Sequence, residues 1–188
     1  MRIGVFGGSF DPIHIGHLLV AEATAEALEL DQVRFVPAWE QPFKGGRHHA
    51  SAEHRVAMLR LAIQGNPRFV LDLSEIERQG ISYTVDTLVC LREQFPRDQL
   101  FLLVGADAAR NLSSWREAAR LPELASIVML SRAGVRAPTQ TLETRGVEVP
   151  AIDVSATAIR QAIREGRSIR YQVTAEVREY LVAHHLYT

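Results

Sequence analysis

A single cysteine, Cys90, stands among the 188 residues, so no internal disulfide can form and nothing in the thiol content calls for an oxidising compartment. No apolar run approaches the roughly 18–20 residues that cross a bilayer, and no basic segment followed by a long apolar one opens the sequence. Neither a membrane span nor a signal peptide is expected. Charge of one sign is also missing: 21 basic residues face 22 acidic ones, for a net charge of −1. That excludes the global field that draws nucleic acid or an anionic membrane, while leaving room for a local cationic pocket. A cytoplasmic protein without nucleic-acid or membrane partners is the expectation; homo-oligomer formation is left open. Lysine is nearly absent. Lys44 is the only one, and the other 20 basic residues are arginine. Either the composition favours arginine throughout, or position 44 requires a compact, mobile ammonium instead of a planar guanidinium. Two phosphate-binding fingerprints are missing as well, the dinucleotide Gly-x-Gly-x-x-Gly and the P-loop Gly-x-x-x-x-Gly-Lys-Ser/Thr.

What is present describes a globular chain, 47% hydrophobic and 23% charged, long enough for one domain spanning residues 1–188. Short apolar runs at 2–6, 32–37, 69–73, 100–104, 127–130 and 147–149 predict strands. Between them, helical spacing appears from His17 (Leu18, Ala21, Ala25, Leu28), after Ser51 (Val56, Leu59, Ile63) and after Ser82 (Thr84, Leu88, Leu91, Phe95). Residues 106–121 predict a continuous or broken helix, 75–81 a turn or an irregular connection, 38–50 and 134–145 loops. Helices over about 155–165 and 174–184 end the sequence. The alternation predicts an α/β fold: a Rossmann-like, doubly wound parallel sheet of five to six strands with C-terminal helices. In such sheets ligands bind beyond the carboxyl ends of the strands, where the strand order reverses. Residues 7–17, Lys44 and residues 105–107 are therefore expected to share one crevice.

The first of these segments, Gly7-Gly8-Ser9-Phe10-Asp11-Pro12-Ile13-His14-Ile15-Gly16-His17, carries the chemistry. Gly7 and Gly8 let a phosphate or ribose approach the backbone. Pro12 holds Asp11 extended. His14 and His17, three apart, share a face if both lie in a first helical turn, where free amides attract anions. Gly16 leaves space for a bulky ligand. A metal pair would want a third ligand in register, and none is evident, so no metal site is assigned. Near the other end, Ser155 caps a helix with Thr157 in its first turn and Arg160 one turn on, a set of hydroxyls, amides and a guanidinium suited to a phosphate chain.

The first segment strongly resembles the Gly-x-Phe-x-Pro-x-His-x-Gly-His signature of the nucleotidyltransferase superfamily, matching it at Gly8, Phe10, Pro12, His14, Gly16 and His17. Val154-Ser155-Ala156-Thr157-Ala158-Ile159-Arg160 resembles the second signature, Ile-Ser-x-Thr-x-Ile-Arg, with Val154 in place of Ile. Three further segments resemble the bacterial nicotinate-nucleotide adenylyltransferase family over essentially the whole chain: Ser82-Tyr83-Thr84-x-x-Thr87-Leu88, Gly105-Ala106-Asp107 with Trp115, and the tail from Val177 to Tyr187. The resemblance implies adenylyl transfer from ATP to nicotinate mononucleotide, forming deamido-NAD and pyrophosphate with Mg²⁺. It assigns His14, His17, Lys44 and Arg160 to catalysis and Gly7, Gly8, Ser9, Phe10, Gly16, Gly105, Asp107, Ser155 and Thr157 to ATP. Ser82, Tyr83, Thr84 and an exposed Trp115 are assigned to the pyridine mononucleotide. The family's Pro-Pro-His-Lys becomes Gln41-Pro42-Phe43-Lys44, so the lysine is kept and the histidine is not. Competing readings are phosphopantetheine adenylyltransferase, which shares both signatures; a synthetase-like piece, opposed by the near-neutral charge; and a non-catalytic nucleotide-binding module.

Overall fold

A computed structural model describes residues 1–42, 48–132 and 144–188. Its frame is one six-stranded sheet, ordered β3-β2-β1-β4-β5-β6. The strands are β1 (Arg2–Gly8), β2 (Gln32–Pro37), β3 (Phe69–Leu71), β4 (Gln99–Gly105), β5 (Ser126–Arg132) and β6 (Thr144–Val149). Every neighbouring pair runs parallel. Parallel sheets need both faces covered, and the apolar runs supply this: Ile3, Val5, Leu100, Leu102 and Val104 pack one face, Phe6, Phe35, Phe101 and Leu103 the other.

The helices are α1 (Ile15–Ala27), α2 (Ala52–Ile63), α3 (Ser74–Arg78), α4 (Thr84–Gln94), α5 (Ala106–Ala109), α6 (Leu121–Leu124), α7 (Ala156–Arg164) and α8 (Ala175–Ala183). Hydroxyl caps set three of their starts. Ser51 accepts from the His54 amide, Ser155 from Ala158 and Thr174 from Val177. The chain runs outward from β1 through β2 to β3, then returns to the other side of β1 to form β4. Strand order therefore reverses between β1 and β4, which opens a crevice above their carboxyl ends.

Several expectations are corrected. The 75–81 turn is mostly the short helix α3, because the buried Glu75 finds hydrogen-bonding partners there. β3 ends at Leu71, since Asp72 turns its carboxylate to the Ser74 amide and Arg34. Residues 106–121 take the broken of the two helical forms expected, as α5, two 3₁₀ turns and the start of α6. β6 begins at Thr144, inside the expected 134–145 loop, and most of that loop lies outside the described residues. Among the described residues, no helix is long and apolar enough to cross a membrane.

Candidate functional site

β1 ends at Gly8, and the chain then runs through Phe10, Asp11 and Ile13, all buried, before α1 begins at Ile15. The helix thus starts two residues before His17, and His14 occupies its N-cap position with extended backbone. The His14 amide donates to Nδ1 of His17 at 3.2 Å. The two rings stack, centroids 3.7 Å apart at 27°. Phe10 meets the His17 ring edge-on at 5.1 Å. The signature spacing therefore produces a parallel imidazole pair braced from below by a buried phenyl ring.

Burial pulls the pKa of His14 down to about 4, so its ring is neutral at pH 7. Its Nδ1 is buried without a hydrogen-bond partner. A buried polar atom left unpaired costs free energy that an incoming ligand can recover. Two cationic rings about 4 Å apart would repel by roughly 4 kcal/mol at an effective dielectric of 20, so the stack carries at most one positive charge.

Three glycines of the signature do different work. A Cβ on Gly16 would come within 3.1 Å of two ring atoms of His14, so the bare backbone there makes room for that ring. A Cβ on Gly8 would come within 3.0–3.3 Å of the Phe10 ring. Only Gly7 looks onto open space, as does Gly105 after β4. Phe10 is 2% exposed, so its ring serves as packing beneath the imidazole pair.

His14, His17, Phe6, Gly105, Ala106 and Val154 line one cleft of about 510 Å³ at the switch point. That volume falls in the range of small-molecule and nucleotide sites. Val154 brings the α7 start to this cleft. Ser155 is committed as the helix cap, and Thr157 is exposed. Arg160 reaches back across the loop: Nη1 donates to the Asp11 carbonyl at 2.7 Å and Nη2 to the Thr157 hydroxyl at 3.3 Å. Ser9 turns its carbonyl inward to Nη1 of Arg55. Lys44, Phe43 and the Asp107 side chain lie outside what the structure describes.

The second expected group sits on the opposite face of the sheet. Tyr83 and Trp115 pack against the cluster that contains Leu88 and Leu112. Trp115 is half-buried instead of exposed, because the 3₁₀ turn at Leu112–Ser114 folds it back onto that cluster. Tyr83 is the N-cap of α4 and Thr84 its first residue; the Arg116 guanidinium lies 4.6 Å over the Tyr83 ring. Ser82 accepts from the Trp39 amide at 2.9 Å. Behind this turn the buried Glu75 accepts from the Thr87 hydroxyl at 2.5 Å, and burial raises its pKa.

Sequence reasoning missed a polar cluster beneath the signature. Asp11, 4% exposed, accepts from the His49 and Ala50 amides and from the Tyr187 hydroxyl. Arg55, 1% exposed, lies close enough to Asp11 for its charge to matter. The available signal was an arginine on the otherwise apolar face of α2, one residue before Val56.

The cytidylyltransferase-like family matches residues 5–162. Two curated relatives carry the name "Probable nicotinate-nucleotide adenylyltransferase". One, from Thermus thermophilus, is 47% identical over 187 residues, with all of both chains covered. The other, from Thermomicrobium roseum, is 44% identical over 195 residues, covering 99% of this chain and 91% of the relative. The fold is shared with Plasmodium falciparum nicotinic acid mononucleotide adenylyltransferase, solved in complex with NaAD. There the TM-score is 0.81 at 18% identity, over 99% of this chain and 97% of that one. With both signatures meeting at one cleft and this likeness spanning its whole length, the chain belongs to the cytidylyltransferase-like family and, within it, to the nicotinate-nucleotide adenylyltransferases.

Proposed function

We propose that this protein transfers the adenylyl group of ATP to nicotinate mononucleotide, releasing pyrophosphate and forming deamido-NAD, with residues 1–188 acting as one nucleotidyltransferase domain. The observation that carries this reading is the stacked His14–His17 pair on the same switch-point cleft as Gly105 and the start of α7. The full-length relatives at 44–47% identity supply the substrate class.

The acceptor phosphate is a monoester whose second pKa is near ~6, so at pH 7 it is largely a dianion and needs no general base. One of its oxygens bonds to the α-phosphorus of ATP as the bond from that phosphorus to the bridging oxygen breaks, and the electron pair leaves with pyrophosphate. The protein's task is to hold two anions together. In this proposal the imidazole pair meets the ATP phosphates, and the ligand partners the unpaired Nδ1 of His14. Arg160, already oriented by the Asp11 carbonyl and Thr157, faces the departing pyrophosphate with Lys44. Gly7 and Gly105 admit the nucleotide backbone, while Ser9, Gly8, Gly16, Phe10, Ser155 and Thr157 shape the cleft. Asp107 is assigned to the ribose, and Ser82, Tyr83, Thr84 and Trp115 to the pyridine ring and its carboxylate.

Mg²⁺ would enter with ATP, and when bound it would supply charge neutralisation on the triphosphate. Among the described residues no group of three or more His, Cys, Asp or Glu could hold a metal ion. A cytoplasmic location accompanies the reading, and the single cysteine is free.

The test is pyrophosphate release from ATP with nicotinate mononucleotide, run beside nicotinamide mononucleotide and phosphopantetheine. Turnover fastest with the nicotinate form supports the proposal. Turnover with phosphopantetheine alone, or ATP binding without turnover on any acceptor, refutes it.

A further inference from the structure

The side chains of Asp11, Arg55 and Tyr187 have no place in the chemistry above, yet the hydrogen bonds of Arg55 and Tyr187 end on that loop. Asp11 uses both carboxylate oxygens. Oδ1 accepts from the Tyr187 hydroxyl at 2.6 Å and from the Ala50 amide at 3.1 Å; Oδ2 accepts from the His49 amide at 2.6 Å. Its carbonyl accepts from Arg160. Two residues earlier, the Ser9 carbonyl accepts from Arg55 at 2.9 Å. Tyr187 is 176 residues from Asp11 in sequence and is 9% exposed. Burial, the Asp11 hydrogen bond and the Asp11 charge together push the pKa of its hydroxyl up, so it stays a donor at any working pH. The start of α1 is tied to the same C-terminal region, since the Ile15 amide donates to the Gln172 carbonyl at 2.9 Å.

Buried charged networks are costly, and apolar packing of equal volume often stabilises as well or better. Stability alone therefore does not account for a carboxylate, a guanidinium and a phenol buried at a loop of six residues, 9–14. Their geometry does. Asp11 is the point where the signature loop, the 49–50 backbone and Arg160 meet, so its position sets where the guanidinium of Arg160 stands relative to the imidazole pair.

We infer that Tyr187 is a positioning residue for the ATP phosphates. It acts through Asp11, whose carboxylate it holds in place while Arg160 is oriented from the carbonyl of the same residue. This rests on the adenylyl-transfer reading for its ligand but not for its geometry.

The test is Tyr187→Phe, which keeps the buried ring and removes only the hydroxyl. ATP affinity is measured by equilibrium titration without turnover, and KM for both substrates by pyrophosphate release. Losing one hydrogen bond to a charged group that orients a ligand contact should weaken ATP binding about tenfold. KM for ATP should rise in parallel, and KM for the pyridine mononucleotide should hold. A purely structural role would lower the folded fraction, reducing Vmax and leaving both KM values unmoved. That pattern, or unchanged ATP affinity, overturns the inference. Asp11→Asn provides the second arm. Combined with Tyr187→Phe, it should weaken ATP binding no further than Asp11→Asn alone; costs that multiply also overturn the inference. If the wild-type protein turns over no pyridine mononucleotide, the proposed function falls while the ATP titrations still decide the role of Tyr187.

Discussion

Acid should destabilise this protein through His14 in a way that one substitution can isolate. Its folded-state pKa lies near 4, against 6.5 for a free imidazole, because burial disfavours the charged ring. Between those values the unfolded chain takes up a proton that the folded chain refuses. Stability therefore rises with pH through this window and is lost as pH falls from about 6.5 to 4. At 1.36 kcal/mol for each tenfold, the full loss amounts to roughly 3 kcal/mol, a large share of the ~5–15 kcal/mol that holds a domain together. Because His14 is 8% exposed, solvent screening does little to reduce it. The assay is urea unfolding of wild type and His14→Asn at intervals from pH 7 to 4. Asparagine does not titrate, so any fixed cost of the substitution shifts its curve without tilting it. Other titrating groups are common to both proteins and cancel in the difference. The stability of the variant relative to wild type should improve by about 3 kcal/mol on going from pH 7 to 4. Parallel losses in the two proteins would refute burial as the cause and leave the ring free to charge in the folded state.

Four further outcomes follow from the site. His17→Ala should lower kcat by about 10²–10³, the effect of losing one preorganised donor, and an unchanged kcat removes His17 from the mechanism. Gly16→Ala should keep or raise the melting temperature, since alanine favours a helix by about 1 kcal/mol over glycine. It should nevertheless lower kcat by displacing the His14 ring, 3.1 Å from the new methyl; retained kcat counts against the stacked geometry. Arg160→Lys should fail to restore the ATP affinity lost in Arg160→Ala, because a lysine cannot hold the Asp11 carbonyl and Thr157 together, and equal affinities for Lys and wild type would contradict this. Thr87→Val removes a hydrogen bond that holds the Glu75 pKa down and should cost about 1–3 kcal/mol. A group with a raised folded-state pKa loses stability as pH rises through that value, so the cost should be greater at pH 7 than at pH 4 in chemical unfolding.

How far the sequence spoke depended on whether the cause was local. β2 falls at 32–37 as expected, because an apolar run ending in proline carries its own boundaries. The Ser155 cap and α7 were legible for the same reason. The switch-point crevice followed from strand–helix alternation, and the structure joins His17, Gly105 and Val154 there. α1 begins at Ile15, two residues before the helical spacing read from His17, because Ile15 and Gly16 add nothing to that apolar pattern. α3 was missed because its stabilising contact, Glu75 to Thr87, spans 12 residues. Trp115 was expected to be exposed because its burial depends on a 3₁₀ turn with no sequence periodicity. The Asp11 cluster was invisible for the strongest version of this reason. Its members come from the first loop, α2 and the segment after α8, and no local pattern links them.

The strand order also governs when this protein can work. β1 is made before the other five strands but lies in the middle of the sheet, paired on one flank with β2 and on the other with β4, nearly a hundred residues downstream. Until β4 is synthesised, one edge of an apolar strand has no neighbour and offers its amides and carbonyls to any passing chain. Arg160 reaches the Asp11 carbonyl across 149 residues, and Tyr187 reaches the Asp11 carboxylate across 176. A nascent or shortened chain that lacks Arg160 and Tyr187 therefore holds the histidines but not the contacts around them, and nucleotide binding should appear only once both have been made.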